Sequence, residues 1–286
     1  MTRHGTRGAP MTQATPRGVV FTDLDATLLD HHDYGWAPAA PALAALAARA
    51  VPVCLVTSKT RAEVAALRRA LDNAHPFAVE NGGAVAVPRG YFEGAPVDAD
   101  TPCDCITLGA PYAELRALAV ALRAERGYRF TGFGDMDTGE VVAATGLDEA
   151  AAAAARQREA SEPLLWRDSE AALADFTTRV AAAGFTTRTG GRFVHMLGRA
   201  GKGDALAWLR ARFAARQGPI LAIALGDSAN DADMLAAADI GYWVARPDGS
   251  YHAPAGGAIR HAPGVGPDGW AAAIRALIDN DELQER

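Results

Sequence analysis

The stretch Val19–Asp30, VVFTDLDATLLD, constrains this chain more than any other. Val19, Val20 and Phe21 are β-branched or aromatic and read as a short buried strand that ends in Asp23 and Asp25. Alternate residues of a strand point the same way, so the two carboxylates leave the strand end side by side. Two like charges so close repel each other and a phosphate, a cost that only a cation or a proton offsets. The arrangement suits phosphoryl transfer to a carboxylate. Asp23 attacks phosphorus, Mg²⁺ bridges Asp23 to the phosphate, and Asp25 handles the leaving-group proton. An acidic surface turn has the same local pattern, so the partners further along the chain decide between the two.

A chain of 286 residues has room for two domains, and its 49% hydrophobic, alanine-rich composition fits a helix-rich α/β enzyme. The formal charge of −6 argues against nucleic acid or an anionic membrane as the main partner. No apolar run is long enough to span a bilayer. Cys54, Cys103 and Cys105 have no second Cys/His pair with which to build a metal site. They read as thiols of a reducing, cytoplasmic compartment. Residues 1–17 are polar and basic, without the apolar stretch of a secretory signal, and read as a disordered tail in which Met11 is an alternative start.

Beyond the first strand, Ala39–Ala50 reads as a helix and Val51–Val56 as a second buried strand ending in Thr57-Ser58-Lys59-Thr60. The helix Arg61–Leu71 follows, with Thr60 as its N-cap and Glu63 completing a capping box. Hydroxyls and free N–H groups at such a junction make a phosphate seat. Phe77–Glu80 is a third strand, broken by Asn81-Gly82-Gly83. From about Pro88 the texture changes to shorter elements. Helices are expected at Tyr112–Arg126, at Thr138–Ala144, from Asp148 through Arg158, and at Glu170–Ala183. Strands are expected at Leu164–Trp166, Phe185–Arg188 and Arg192–Leu197. The first pattern then resumes with a helix Ala205–Arg216 opened by Gly201-Lys202-Gly203-Asp204. A strand Ile220–Leu225 runs into Gly226-Asp227-Ser228-Ala229-Asn230-Asp231. Ile240–Val244 reads as the last strand, and a closing helix runs from about Pro267 to Asp279. The fold class is therefore α/β: a Rossmann-like parallel-sheet core, residues 18–87 and 197–286, with an inserted α+β cap at 88–196.

Three apolar strands thus end in polar clusters: Asp23/Asp25, Thr57/Ser58 and Asp227/Asn230/Asp231. In an open parallel sheet these ends share one edge, where ligands bind. Asp227 then meets Asp23 and Asp25 as an oxygen ligand set for Mg²⁺. Lys202, at a helix start, is placed to neutralise phosphate charge and to hold Asp23.

These four motifs, in this order and on these elements, resemble the haloacid dehalogenase superfamily of Asp-nucleophile phosphatases, and the long insertion resembles its larger cap class. Further blocks resemble the mannosyl-3-phosphoglycerate phosphatases: FTDLD at 21–25, LLDHH at 28–32, TSKTRAE at 57–63, VENGG at 79–83, PRGYF at 88–92, GFGDM at 132–136, TGL at 145–147, QRE at 157–159, SEP at 161–163, GGRF with His195, and RPDG at 246–249. Ala26 departs from the superfamily pattern, which usually has glycine there. The resemblance implies hydrolysis of a phosphorylated sugar-glycerate ester to mannosylglycerate, a compatible solute, with Mg²⁺ as cofactor. It also implies that Asp23 is the nucleophile and that Asp25 is the acid/base, its backbone carbonyl meeting the metal. In the same way Asp227 is the third ligand, Asp231 supports the metal site, and Thr57, Ser58, Asn230 and Lys202 hold the substrate's phosphate end. For specificity it points to Arg158, Ser161, Glu162, Arg192 and His195 in the cap. Mannose and glucose esters differ in one hydroxyl orientation, so glucosyl-3-phosphoglycerate is the alternative substrate. A receiver-like phospho-acceptor or a sugar-binding module that kept the fold without the chemistry are the alternatives outside catalysis. The large insertion and the intact acidic set disfavour both.

Overall fold

The computed structural model describes residues 17–190 and 192–283. The expected tail lies outside the described residues except for Arg17, which opens the first strand. In the core, β1 (Arg17–Thr22), α1 (Ala40–Ala48), β2 (Val53–Leu55), α2 (Arg61–Ala70), β3 (Phe77–Val79), β4 (Ala84–Pro88) and β5 (Cys103–Thr107) come first. The insertion supplies α3 (Tyr112–Arg126), β6 (Phe130–Gly132), α4 (Thr138–Thr145), α5 (Glu149–Ala155), β7 (Ser161–Trp166), α6 (Glu170–Ala182), β8 (Thr186–Gly190) and β9 (Phe193–Leu197). The chain returns to the core with α7 (Lys202–Gln217), β10 (Ile220–Gly226), α8 (Ala232–Ala237), β11 (Ile240–Ala245), β12 (Ile259–Val265) and α9 (Gly266–Asp279).

The core sheet has the order β12-β11-β10-β1-β2, with every pair parallel. Its two faces explain the unbroken apolar run of β1. Val20 packs with Leu46, Trp270 and Ile274 on one side, and Val19 and Phe21 pack with Leu206, Leu209 and Phe213 on the other. A strand covered on both faces has no polar side to show. β3, β4 and β5 form an antiparallel sheet that meets β2 through a parallel bridge from Val56 to Ala78. The inserted sheet is antiparallel, in the order β6-β7-β9-β8.

Several sequence expectations are corrected. Ile240–Ala245 is followed by another core strand, β12, a half-exposed edge strand whose Pro263 and Gly264 disguise it. The alanine-rich helix stops at Ala155, so Arg158 lies in the turn after it. β7 begins at Ser161 rather than Leu164. Pro163 is tolerated because β6 pairs only from Leu164 onward, leaving β7 a free edge there. Of the residues expected in the cap, Tyr91, Phe92 and Val97 pack in a core cluster, and Cys103–Thr107 pairs with β4. Separate clusters between Ala110 and Met196 fill the insertion. We propose from this packing that the cap runs from about residue 109 to 197. No helix among the described residues is long and apolar enough to cross a membrane.

Candidate active site

The register of the core sheet brings the three polar clusters to one edge. β1 lies between β10 and β2, and Asp23 follows directly on the last residue pairs, Thr22 with Leu225 and Thr22 with Leu55. The backbone N–H of Asp23 donates to the Leu225 carbonyl at 2.9 Å, which ties the acidic end of β1 to the strand that leads to Asp227.

Lys202 is the centre of the arrangement. It is the first residue of α7, fully buried, and its Nζ donates to Asp23 Oδ1 at 2.6 Å and to Asp231 Oδ1 at 2.7 Å. Burial alone would lower the pKa of this ammonium, but the charges of Asp23 and Asp231 outweigh that and raise it. Asp231 is also gripped by the backbone N–H groups of Asp227 at 3.1 Å and Ser228 at 3.0 Å. Gly226 must be glycine here, because a Cβ would stand 2.4 Å from that of Asp231. A turn at Glu80-Asn81-Gly82 comes close to the start of α7. A Cβ on Gly82, whose φ is +83°, would lie 2.1 Å from the Gly201 carbonyl oxygen.

Carboxylate oxygens of Asp23, Asp227 and Asp231 lie within 4.8 Å of one another. Burial pushes the Asp23 pKa well up, partly offset by Lys202 and reinforced by Asp231 and Asp25. Burial also pushes Asp227 up to about 6, with the Asp231 charge adding to it. Three carboxylates against one buried lysine leave excess negative charge, and hard oxygen donors so grouped fit a divalent ion such as Mg²⁺. The Asp25 side chain stands outside this group. It pairs with Lys59 Nζ at 3.0 Å, and Lys59 in turn lies over the Tyr34 ring. The next residue, Ala26, takes a left-handed φ of +59°, the conformation that makes glycine usual at this step.

Thr57 is buried at the end of β2, one strand over from Asp23, and its Oγ1 accepts from the Lys59 N–H at 3.2 Å. Ser58 and Asn230 face a cleft of ≈ 450 Å³ between core and cap, together with Asn81, Ser228, His195, Arg188 and Arg246. Asn230 donates to Asn81 at 2.9 Å and accepts from Ser228 at 2.6 Å. His195 presents its ring to this cleft. Burial and the nearby Arg158 charge lower its pKa to about 4, and its buried Nδ1 has no hydrogen-bond partner among the described residues.

The remaining cap residues lie elsewhere. Ser161 and Pro163 share the sheet face of His195, whereas Glu162 pairs with Met196 and points to the other face. There Glu162 is fully buried, accepting from Arg116 at 3.0 Å, Tyr112 at 2.8 Å and the Gly134 N–H at 3.1 Å. Glu162 therefore does not line the cleft. Arg158 and Ser161 belong to a buried latch. Glu80 accepts from Glu159 N–H at 2.7 Å, Ala160 N–H at 3.2 Å and Ser161 Oγ at 2.5 Å. Arg158 donates to Ser161 at 3.0 Å and lies 3.8 Å from Glu80. Arg192 is exposed and donates to the Thr145 carbonyl. The sequence reading assigned no role to Lys59, Glu80, Arg188 or Arg246. The motif blocks at 57–63, 79–83 and 246–249 hold three of them, and Arg188 carries no local signal.

An acidic strand end, a buried lysine and an acidic loop on one edge of a doubly wound sheet, under an inserted cap, are the arrangement of the haloacid dehalogenase class of phosphatases. The fold is shared with a phosphatase of that superfamily from Bacteroides thetaiotaomicron, at a TM-score of 0.64 and 15% identity over 97% of this chain and 100% of the other. No protein-family model matches the chain. Two relatives bear the name glucosyl-3-phosphoglycerate/mannosyl-3-phosphoglycerate phosphatase. The one from Methanococcoides burtonii is 39% identical over 91% of this chain and 97% of its own length. The one from Persephonella marina is 34% identical over 92% and 98%. The chain belongs to this glucosyl-3-phosphoglycerate/mannosyl-3-phosphoglycerate phosphatase family, and so to the phosphoric monoester hydrolases.

Proposed function

We propose that the protein is a Mg²⁺-dependent phosphatase that converts mannosyl-3-phosphoglycerate, or its glucosyl counterpart, to the glycosylglycerate and phosphate through phospho-Asp23. The observation that carries this is the Lys202 bridge. It holds one oxygen of Asp23 at 2.6 Å and fixes the orientation of that carboxylate at the open edge of the sheet. In the first step an Asp23 oxygen bonds to phosphorus as the bond to the glycerate C3 oxygen breaks, and Asp25 gives that oxygen its proton. In the second step water attacks the phosphorus of the acyl phosphate, Asp25 takes the water proton, and Asp23 is released as a carboxylate.

Thr57, Ser58 and Lys202 would hold the phosphoryl oxygens. Asp23, Asp227 and the Asp25 backbone carbonyl would hold the ion, with Asp231 orienting Lys202 and the Asp227 loop. The ion, when bound, neutralises phosphate charge that three carboxylates would otherwise repel. Family membership and the polar cleft lined by Ser58, Ser228 and Asn230, next in sequence to Thr57, Asp227 and Asp231, support the substrate reading. The test is a phosphate-release screen with Mg²⁺ across both glycosyl-3-phosphoglycerates, hexose phosphates and an aryl phosphate, with Asp23→Asn as the control. The glycosyl-3-phosphoglycerates should give the highest kcat/KM, and Asp23→Asn should fall to background. Equal rates on all esters would remove the substrate assignment, and an active Asp23→Asn would remove the nucleophile.

A further inference from the structure

The cleft has a charge pattern that the phosphate chemistry does not use. Next to the acidic cluster, its walls carry two arginines, and none of the described residues lining it is a carboxylate. Arg188 comes from the cap. On β8 it lies in register with His195 of β9, so both side chains leave the same face of the inserted sheet. Arg246 comes from the core. It follows β11, the strand beside β10, and its charge is felt at Asp227. The two modules thus each contribute one guanidinium to a single space.

Arg188 has one carboxylate partner and Arg246 has none within 4 Å among the described residues. Arg188 reaches Asp233 at 3.5 Å, a long contact between partly exposed groups. Arg246 meets the ring nitrogen of His252 at 2.8 Å, and the carboxylates of Asp227 and Asp248 feel its charge without forming an ion pair with it. The arginines named from the sequence are occupied elsewhere, Arg158 in the Glu80 latch and Arg192 on the Thr145 carbonyl.

We infer that Arg188 and Arg246 form a clamp, one jaw on the cap and one on the core, for a second anion of the substrate: a carboxylate that is not hydrolysed. The inference rests on the phosphatase reading of the site and names the feature by which it selects esters. A guanidinium fork matches a carboxylate in a way a lysine does not. A carboxylate spanning both jaws also rewards closure of the cap over Asp23, so a remote group of the substrate assists the reacting one. His195 and the Asn81/Asn230 pair are left for neutral hydroxyls.

The experiment uses a matched pair of esters, 3-phosphoglycerate and glycerol 3-phosphate, which differ in the carboxylate, alongside glucosyl-3-phosphoglycerate. The parent enzyme should favour 3-phosphoglycerate in kcat/KM. In Arg188→Met and in Arg246→Met the ratio of the two values should fall about tenfold to a hundredfold. Arg188→Lys and Arg246→Lys keep the charge without the fork and should give intermediate ratios, with thermal unfolding recorded for all four variants. A parent with no preference for the carboxylate overturns the clamp. So does a proportional loss on both esters, or a parental ratio in all variants. If the ratio collapses as expected while the glucosyl ester is no better than 3-phosphoglycerate, the clamp stands and the sugar-glycerate reading fails.

Discussion

Replacing Lys202 by methionine isolates the electrostatics of the site. Methionine keeps most of the apolar stem and fills its volume, so the cavity contribution is small. What disappears is the only cation among the described residues in contact with Asp23 and Asp231, at 2.6 and 2.7 Å, in a fully buried setting. Removing one partner of a buried ion pair costs about 3–5 kcal/mol, and with two carboxylates left unpaired the upper half of that range is expected. For a chain of this size that corresponds to roughly 7–10 °C in Tm. The pH dependence has a definite sign. Burial already raises the Asp23 pKa, and Lys202 is the chief group holding it down, so the variant's carboxylate rises further above its unfolded value. A carboxylate raised in the folded state binds more protons there than in the unfolded chain, so stability is lost as pH rises and regained on acidification. Urea unfolding of Lys202→Met at pH 8 and pH 5 should therefore show a larger deficit against the parent at pH 8. Mg²⁺ should restore part of it, because an ion bound only by the folded acidic cluster stabilises by mass action. A deficit below about 1 kcal/mol, or one that neither acid nor Mg²⁺ reduces, would refute the charge balance argued for this site.

Other outcomes follow from single positions. Ala26→Gly relieves a left-handed alanine and should raise stability by about 0.5–1 kcal/mol after the extra chain entropy of glycine is subtracted, and a loss of similar size in urea unfolding would count against the strain. Glu80→Gln turns an amide group toward donors that now meet carboxylate oxygens. It should cost about 2–3 kcal/mol by the same measurement, and a change under 0.5 kcal/mol would show the latch to be idle. His195 is held neutral, its pKa lowered from near 6.5 to about 4, so the unfolded chain takes up its proton first on acidification. Stability present above pH 6.5 should be lost between there and pH 4, by at most about 3 kcal/mol, and the pH profile of His195→Gln should be flatter. An identical profile would argue against burial of that ring.

Much of the core could be read locally. The capping box of Thr60 and Glu63 is present as expected, because cap and partner lie three residues apart and need only the helix they begin. The apolar runs of β1 and β10, and the acidic ends that follow them, converge because strands alternating with helices force a parallel sheet, whose strand ends share an edge. Other features required the tertiary structure. Nothing in Ser161-Glu162-Pro163 says which residue faces the cleft. That is settled by the register of β7 on β9, and a shift of one residue would exchange Glu162 for its neighbours. Arg158 is a free cation in the sequence and a latch component in the fold, because the turn after α5 lands on Glu80, a residue far away along the chain. Asp25 looks like a metal-site carboxylate beside Asp23, yet its side chain turns to Lys59 across the strand end. Arg188 and Arg246 meet over one cleft only because the cap folds back onto the core. Local sequence determines which backbone states and which faces are available. The choice among faces, and the pairing of charges from distant segments, depends on register and domain contact, which no short stretch encodes.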